Sequence, residues 1–140
     1  MGQKDEQLFN ALAGEATRRL EKFSAQNLAI TAWAFAKAGQ WDKQFFKAMA
    51  RVAERCLDKF DVQNLANTAW AFATVGQKDE QLFKALTRMA ERRLDEFNVQ
   101  GLANTAWALV TVGVPVPALL DPISVLNVME MHGSKPQLML

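Results

Sequence analysis

The sequence predicts an all-α protein: a right-handed α-solenoid of three 37-residue helical-hairpin repeats followed by a C-terminal helix. Two kinds of residue carry this period. The tryptophans recur at positions 33, 70 and 107, and the glycines recur without a slip at positions 2, 39, 76 and 113. A fixed repeat of this length, in which no unit can bury its apolar face alone, is typical of stacked helical arrays.

Composition limits the classes of protein that fit. Half of the 140 residues are apolar, which is enough for a continuous core in one compact domain. Lys and Arg number 16 against 15 Asp and Glu, so a basic surface must come from the arrangement of charges. The single cysteine, Cys56, excludes an internal disulfide. The longest nearly apolar run, from Leu109 to Leu120, is shorter than the roughly 20 residues that span a bilayer, and we expect no membrane partner.

The chain is expected to begin inside a repeat. Gly2 to Leu12 matches Gly76 to Leu86 at nearly every position. The first six residues carry acids and no apolar core, so they resemble neither a signal peptide nor a transit peptide. A targeting segment, if the protein has one, is therefore expected outside this chain.

Each repeat is predicted to form two helices, within boundaries at 2–38, 39–75 and 76–112. The first helix carries apolar residues at three- and four-residue steps, as in Leu8, Leu12, Ala16 and Leu20, which gives one apolar stripe. Its predicted N-caps are Asp5, Asp42 and Asp79, and those of the second helix are Ser24, Asp61 and Asn98. Only a few residues separate the two helices, so each pair should be an antiparallel hairpin.

The pattern breaks after the third repeat. Residues 113–120 contain two prolines and are expected to form an extended connector. Asp121 and Pro122 suit the start of a last helix, which is expected to end near Gly133 within a tail of residues 121–140.

The second helix carries the most distinctive stretch, Gln-Asn-Leu-Ala-Asn-Thr-Ala-Trp-Ala-Phe-Ala at residues 63–73. This stretch resembles the octotricopeptide repeat and the related repeats of RAP-domain and FAST-kinase-like proteins, in the form abundant in dinoflagellates. The likeness covers residues 2–112, with a period one residue shorter than that family's name states. It implies an organellar RNA-binding protein, in a mitochondrion or chloroplast, acting in RNA processing, stability or translation. In the tail, Met129, Gly133 and Pro136 resemble the junction between pentatricopeptide repeats, which implies the same kind of role.

Basic residues of the first helices fall into columns when the repeats are aligned. The predicted phosphate contacts are Arg18, Arg55 and Arg92 in one column, Arg51 and Arg88 one turn earlier, and Lys47 and Lys84 one turn before that. One interpretation is a row of phosphate contacts along a single RNA strand. The other is a solvated helix face whose arginines pair with the nearby acids Glu54, Asp58, Glu91 and Asp95.

Polar residues open the second helices and are predicted to contact RNA bases. They are Asn27 and Thr31 in repeat one, Asn64, Asn67 and Thr68 in repeat two, and Asn104 and Thr105 in repeat three. In modular RNA readers two or three side chains per repeat read one base. Alternatively, these side chains form hydrogen bonds to neighbouring helices in an alanine-rich seam.

Other residues are better explained without RNA. The repeated tryptophans are expected in the core, whereas Trp41 has lysine at its position in the other repeats and is expected to be partly exposed. One histidine, one cysteine, no tyrosine and three serines supply no catalytic set, so we expect no enzyme, no cofactor and no metal site.

The sequence therefore predicts a single-stranded RNA-binding protein that also contacts other proteins. The open ends of the array predict self-association, because terminal repeats normally carry a polar outer face. The alternative function is a protein-interaction scaffold of armadillo or HEAT type.

Overall fold

The computed structural model describes the backbone of residues 3–113 and the side chains from residue 6 onward. Over this range the chain forms six α-helices and no strand: α1 (Gln3–Arg19), α2 (Ala25–Lys37), α3 (Lys43–Arg55), α4 (Val62–Thr74), α5 (Glu80–Arg92) and α6 (Val99–Val112). A short 3₁₀ turn, at Leu20–Lys22, Leu57–Lys59 and Leu94–Glu96, leads from the first to the second helix of each hairpin. The all-α prediction is confirmed. The tail after Gly113, with the predicted last helix and the pentatricopeptide-like residues, lies outside the described residues.

Local side-chain chemistry starts the helices where the sequence predicted. From α2 to α6, the residue before each helix accepts the backbone N–H three residues later, which satisfies a donor that has no partner inside the helix. These caps are Ser24, Asp42, Asp61, Asp79 and Asn98. Asp5 was wrongly predicted as a sixth cap. It lies inside α1, which already begins at Gln3.

The second helix of each hairpin ends at a glycine in the left-handed conformation. The φ angles of Gly39, Gly76 and Gly113 are 74°, 73° and 77°. After Gly39, the backbone N–H of Gln40 donates to the carbonyl oxygen of Phe35 at 3.0 Å, and the next hairpin repeats this bond. The period of glycine in the sequence thus reflects a backbone position that a side chain would strain.

The helices pack in two layers. The first helices, α1, α3 and α5, lie side by side, and the second helices, α2, α4 and α6, form the other layer. Contacts are much more extensive within the second-helix layer, where alanine is frequent and the backbones approach closely. The arrangement is solenoid-like.

Phenylalanine rings connect the first two hairpins through the core. Phe35 of α2 packs against Phe9 of the same hairpin at 5.3 Å and against Phe45 of the next at 4.8 Å, measured between ring centroids. Phe46 then contacts Phe72 of α4 at 5.2 Å. Trp70 is 4% exposed, so the core assignment holds for this tryptophan.

The outer side of the first hairpin leaves large apolar side chains exposed. Leu8 and Leu12 of α1 are 56% and 47% exposed. Their equivalents one repeat later, Phe45 and Met49, are only 2% and 1% exposed, because the preceding hairpin covers them. The first hairpin therefore presents the same kind of apolar surface without a neighbour.

Candidate nucleic-acid interface

The predicted phosphate contacts all lie on the solvent side of the first-helix layer. We call these seven exposed residues the basic face: Arg18 on α1, Lys47, Arg51 and Arg55 on α3, and Lys84, Arg88 and Arg92 on α5. On α3 the spacing of four residues places three cations in one line along the helix. The stacking of the helices then brings the lines of α3 and α5 side by side.

Most of the basic face is free of ion pairs. Arg18 pairs with Glu15, and Arg55 pairs with Glu21 of the preceding hairpin. Both pairs are well exposed, so water screens them and they contribute little stability. Over residues 6–113, no ion pair involves the other five cations or the acids that the sequence proposed as partners, Glu54, Asp58, Glu91 and Asp95. The predicted neutralisation by those acids is therefore wrong.

The predicted base-contacting residues lie in the second-helix layer, and most are buried. Asn67, Thr68, Asn104 and Thr105 are at most 2% exposed, and Asn64 is 8% exposed. Asn27 is exposed and Thr31 is half-buried, because α2 has no neighbour on its outer side. Side chains this deeply buried do not contact bases, so the base-contact prediction is wrong for Asn67, Thr68, Asn104 and Thr105. The close approach of α2 and α6 to α4 covers both flanks of the central helix.

The alternative interpretation, hydrogen bonding between the helices, is not what the structure shows either. The side-chain nitrogen and oxygen of Asn67 and Asn104 and the hydroxyls of Thr68 and Thr105 are buried without a hydrogen-bond partner. An unsatisfied buried polar group costs about 1–3 kcal/mol. This polar stripe therefore lowers the stability of the fold unless ordered water or a ligand supplies partners.

The predicted phosphate contacts and the predicted base contacts come together at the hairpin turns. There, a cleft of about 550 Å³ lies between the first and second hairpins, and it is lined by Arg55 from the basic face and Asn64 from the second helix. We call it the first junction cleft. Phe23, Gln26 and Lys59 also line it. The sequence analysis missed Phe23 and Lys59 as site residues. Each lies at the turn between the two helices of its hairpin, and stacking the hairpins at the 37-residue period brings neighbouring turns together.

The equivalent cleft between the second and third hairpins, the second junction cleft, is smaller, at about 230 Å³. At this junction Arg93 donates to the backbone carbonyl of Phe60 and, through two nitrogens, to the carboxylate of Glu96 at 2.9 and 3.1 Å. This hydrogen bonding lowers the pKa of Glu96 and raises the pKa of Arg93. The guanidinium therefore ties the third hairpin to the turn of the second.

Cys56 occupies the position of Arg93 in the first junction cleft, one repeat earlier. Its thiol donates to the carbonyl oxygen of Val52 at 3.3 Å, within its own helix. Burial raises the pKa of the Cys56 thiol, so it is protonated at neutral pH. In place of the Arg93 bridge, the ion pair between Arg55 and Glu21 joins the two hairpins at the first junction cleft.

Residues 6–113 contain no group of three or more His, Cys, Asp or Glu side chains that could hold a metal ion. None of the six helices is both long and apolar enough to cross a membrane.

Comparison with known proteins gives a family. The model of the RNA-editing substrate-binding complex 6 protein family matches residues 1–137, almost the whole chain. No curated protein gives a significant match. Because the family model covers far more than half of the sequence, the chain belongs to the RNA-editing substrate-binding complex 6 protein family.

Proposed function

We propose that the chain binds single-stranded RNA through its basic face and the adjoining hairpin turns. The observation that carries this proposal is the set of exposed cations on α3 and α5 that have no ion-pair partner over residues 6–113, namely Lys47, Arg51, Lys84, Arg88 and Arg92. Cations without carboxylate partners are available to neutralise phosphates. The family's name, which refers to an RNA-editing substrate-binding complex, supports an RNA-related role for this member.

The finer parts of the proposal rest on sequence likeness. The octotricopeptide-like stretch supports a role in organellar RNA processing, stability or translation, in a mitochondrion or chloroplast. The composition, with one histidine, one cysteine and no tyrosine, supports action by occupying a transcript rather than by catalysis. No cofactor is part of this function.

Assembly with other proteins is a second part of the proposed function. The exposed Leu8 and Leu12 support protein partners, because the equivalent apolar residues of α3, Phe45 and Met49, are covered by the preceding hairpin. The name of the family refers to a complex, which agrees with protein partners. A scaffold of armadillo or HEAT type would use this surface without RNA.

Fluorescence anisotropy with a pool of short single-stranded RNAs tests the proposal, with duplex RNA as the comparison and salt as the variable. Five phosphate contacts predict a slope of log affinity against log salt of about −3.5, at roughly 0.7 per contact. The double variant Arg51→Glu, Arg88→Glu removes two of the cations and should reduce that slope by about 1.4.

A matched control keeps the change in net charge the same. Lys37→Glu with Lys78→Glu also reverses two exposed cations, but these lie at the opposite ends of the hairpins, away from the basic face. This control should keep the wild-type slope. The proposal fails if the wild type does not bind single strands even at low salt, or if the control loses as much binding as the test variant.

A further inference from the structure

The first junction cleft has the size and lining of a ligand site. Its volume of about 550 Å³ falls in the range of small-molecule pockets, about 300–1,000 Å³. One wall is formed by the ring of Phe23 and by Val52, and the polar groups on the lining include Lys59 and Asn64. Six of the ten lining residues are polar or charged, which suits a polar ligand: Glu21, Ser24, Gln26, Arg55, Lys59 and Asn64.

Asn64 is the buried polar residue of the second helices that a ligand in this cleft can reach. The residue is 92% buried, being 8% exposed, and it lines the cleft. Its backbone N–H donates to Asp61 at 2.7 Å as part of the helix cap, but its side-chain amide forms no hydrogen bond with any described residue. The amide offers both a donor and an acceptor, which is the pairing that the edge of a nucleobase presents.

The charge at the cleft suits a phosphate. Arg55 pairs with Glu21 there, and these two charges offset each other. The ammonium of Lys59 has no ion-pair partner over residues 6–113, so it leaves one positive charge uncompensated. An aromatic ring, a free amide and an unpaired cation together match the base and the phosphate of a nucleotide.

The second junction cleft, which the aromatic residue Phe97 lines, differs from the first at three equivalent positions. Arg93 replaces Cys56, Glu96 replaces Lys59 and Gly101 replaces Asn64. The Arg93–Glu96 pair bridges to the turn of the second hairpin, and the cleft shrinks to about 230 Å³. The two junctions are therefore joined by different contacts: the Arg55–Glu21 pair at the first, and Arg93 with Phe60 and Glu96 at the second.

We propose that the first junction cleft binds one nucleotide, with the base against Phe23, the base edge on the Asn64 amide and the phosphate at Lys59. This inference rests on the proposed binding of single-stranded RNA and names the place where a base is held. Within the strand, the other contacts of the basic face are made to phosphates only. A free nucleoside monophosphate presents the same chemistry, so the test uses both sources.

The first measurement follows the alkylation of Cys56 by a maleimide. Because Cys56 is the single cysteine, the rate of labelling reports on this cleft alone. Saturating nucleoside 5′-monophosphates and short single-stranded RNA should each slow the labelling about tenfold or more. Ribose 5-phosphate serves as the comparison for a phosphate without a base, and it should protect little.

The second measurement uses variants that exchange the two junctions. Cys56→Arg with Lys59→Glu introduces the Arg–Glu pair into the first junction, and Asn64→Ala removes the free amide without a change of charge. Each should lower the affinity for single-stranded RNA by about tenfold, which corresponds to the weaker end of a single base contact. The reverse variant, Arg93→Cys with Glu96→Lys, should not lower the affinity.

The outcomes separate this inference from the proposed function. If the wild type binds RNA, yet no nucleotide protects Cys56 and Asn64→Ala binds normally, the cleft is not a nucleotide site and the proposed function stands. If monophosphates protect Cys56 while RNA does not bind, the cleft is a nucleotide site and the proposed function fails. Protection by ribose 5-phosphate equal to that by the nucleotides overturns the base contact. Should the exchanged variant fail to fold, the labelling and Asn64→Ala still decide.

Discussion

Replacing Thr68 by valine should stabilise the protein. Thr68 lies in the middle of α4, is 2% exposed, and its hydroxyl is buried without a hydrogen-bond partner. Valine has nearly the same shape and puts a methyl group where the hydroxyl was. The variant therefore removes an unsatisfied polar group and leaves no cavity, whereas most core substitutions leave one.

The expected gain follows from the cost of that hydroxyl. Burying a hydroxyl without a partner costs about 1–3 kcal/mol in proteins, and this cost disappears in the variant. For a domain of this size, 1 kcal/mol changes the melting temperature by roughly 4 °C. Thr68→Val should therefore melt at least a few degrees above the wild type, with a higher free energy of unfolding in urea.

A matched control exists within the same chain. Thr87 of α5 donates its hydroxyl to the carbonyl oxygen of Phe83 at 2.8 Å, so Thr87→Val loses a hydrogen bond as well as a hydroxyl. This control should be neutral or slightly destabilising. Thermal unfolding followed by circular dichroism compares the two variants directly. If Thr68→Val loses as much stability as the control, or more, the hydroxyl of Thr68 has a partner such as an ordered water, and the reasoning is refuted.

Three further predictions use other features of the fold. Gly76→Ala should destabilise the fold by about 1–2 kcal/mol because φ is 73° at this position. Gly14 lies on the open surface of a helix, so Gly14→Ala should stabilise the fold by up to about 1 kcal/mol. Equal melting temperatures for the two variants would contradict this. The hydrogen bond from Arg93 lowers the pKa of Glu96, so the pair stabilises the fold at neutral pH, and this contribution is lost as the pH falls below about 4.3. The difference in unfolding free energy between the wild type and Glu96→Gln should therefore shrink on acidification, and a constant difference would refute the assignment. Leu8→Glu should weaken any concentration-dependent self-association in sedimentation velocity, and a wild type that stays monomeric at high concentration would contradict the predicted contact.

The sequence predicted the local features of the fold because their causes are local. Asp61 caps α4 through a hydrogen bond to a backbone N–H only three residues away, and Gly76 ends the same hairpin with a positive φ. Both signals require nothing from the rest of the chain. The period of 37 residues then fixes the stacking, because equivalent residues such as Phe45 and Leu82 meet equivalent neighbours and are both buried.

The sequence did not predict which faces of the second helices are open. Periodicity places Asn67 on the side of α4 away from Leu65, but it does not give the distance to the neighbouring helices. In the structure the alanine-rich second helices approach so closely that α4 is buried from Asn64 to Ala73. Burial here is a property of the whole layer, so a single repeat does not reveal it.

The charge partners were missed for a similar reason. The search along the sequence considered acids three or four residues away, as suits an isolated helix. Arg55 instead pairs with Glu21, which is 34 residues earlier, and Arg93 reaches the carbonyl of Phe60, 33 residues earlier. Both contacts join neighbouring hairpins, and they follow from stacking rather than from helix periodicity.

For the proposed function, these contacts make the hairpin turns the natural path for a single strand of RNA. The basic face lies on the outside of the first-helix layer and the polar stripe is buried, so a ligand on the basic face reaches a second helix at the hairpin turn, where Arg55 and Asn64 line one cleft. Adjacent packed helices lie about 8–10 Å apart, so successive junctions offer sites at about that spacing. Cys56 and Arg93 occupy equivalent edge positions outside the fully buried core, so the Arg93 bridge can be gained or lost without repacking the fold. Variation at such positions would set which nucleotides of a strand are held by their bases and which by phosphate alone.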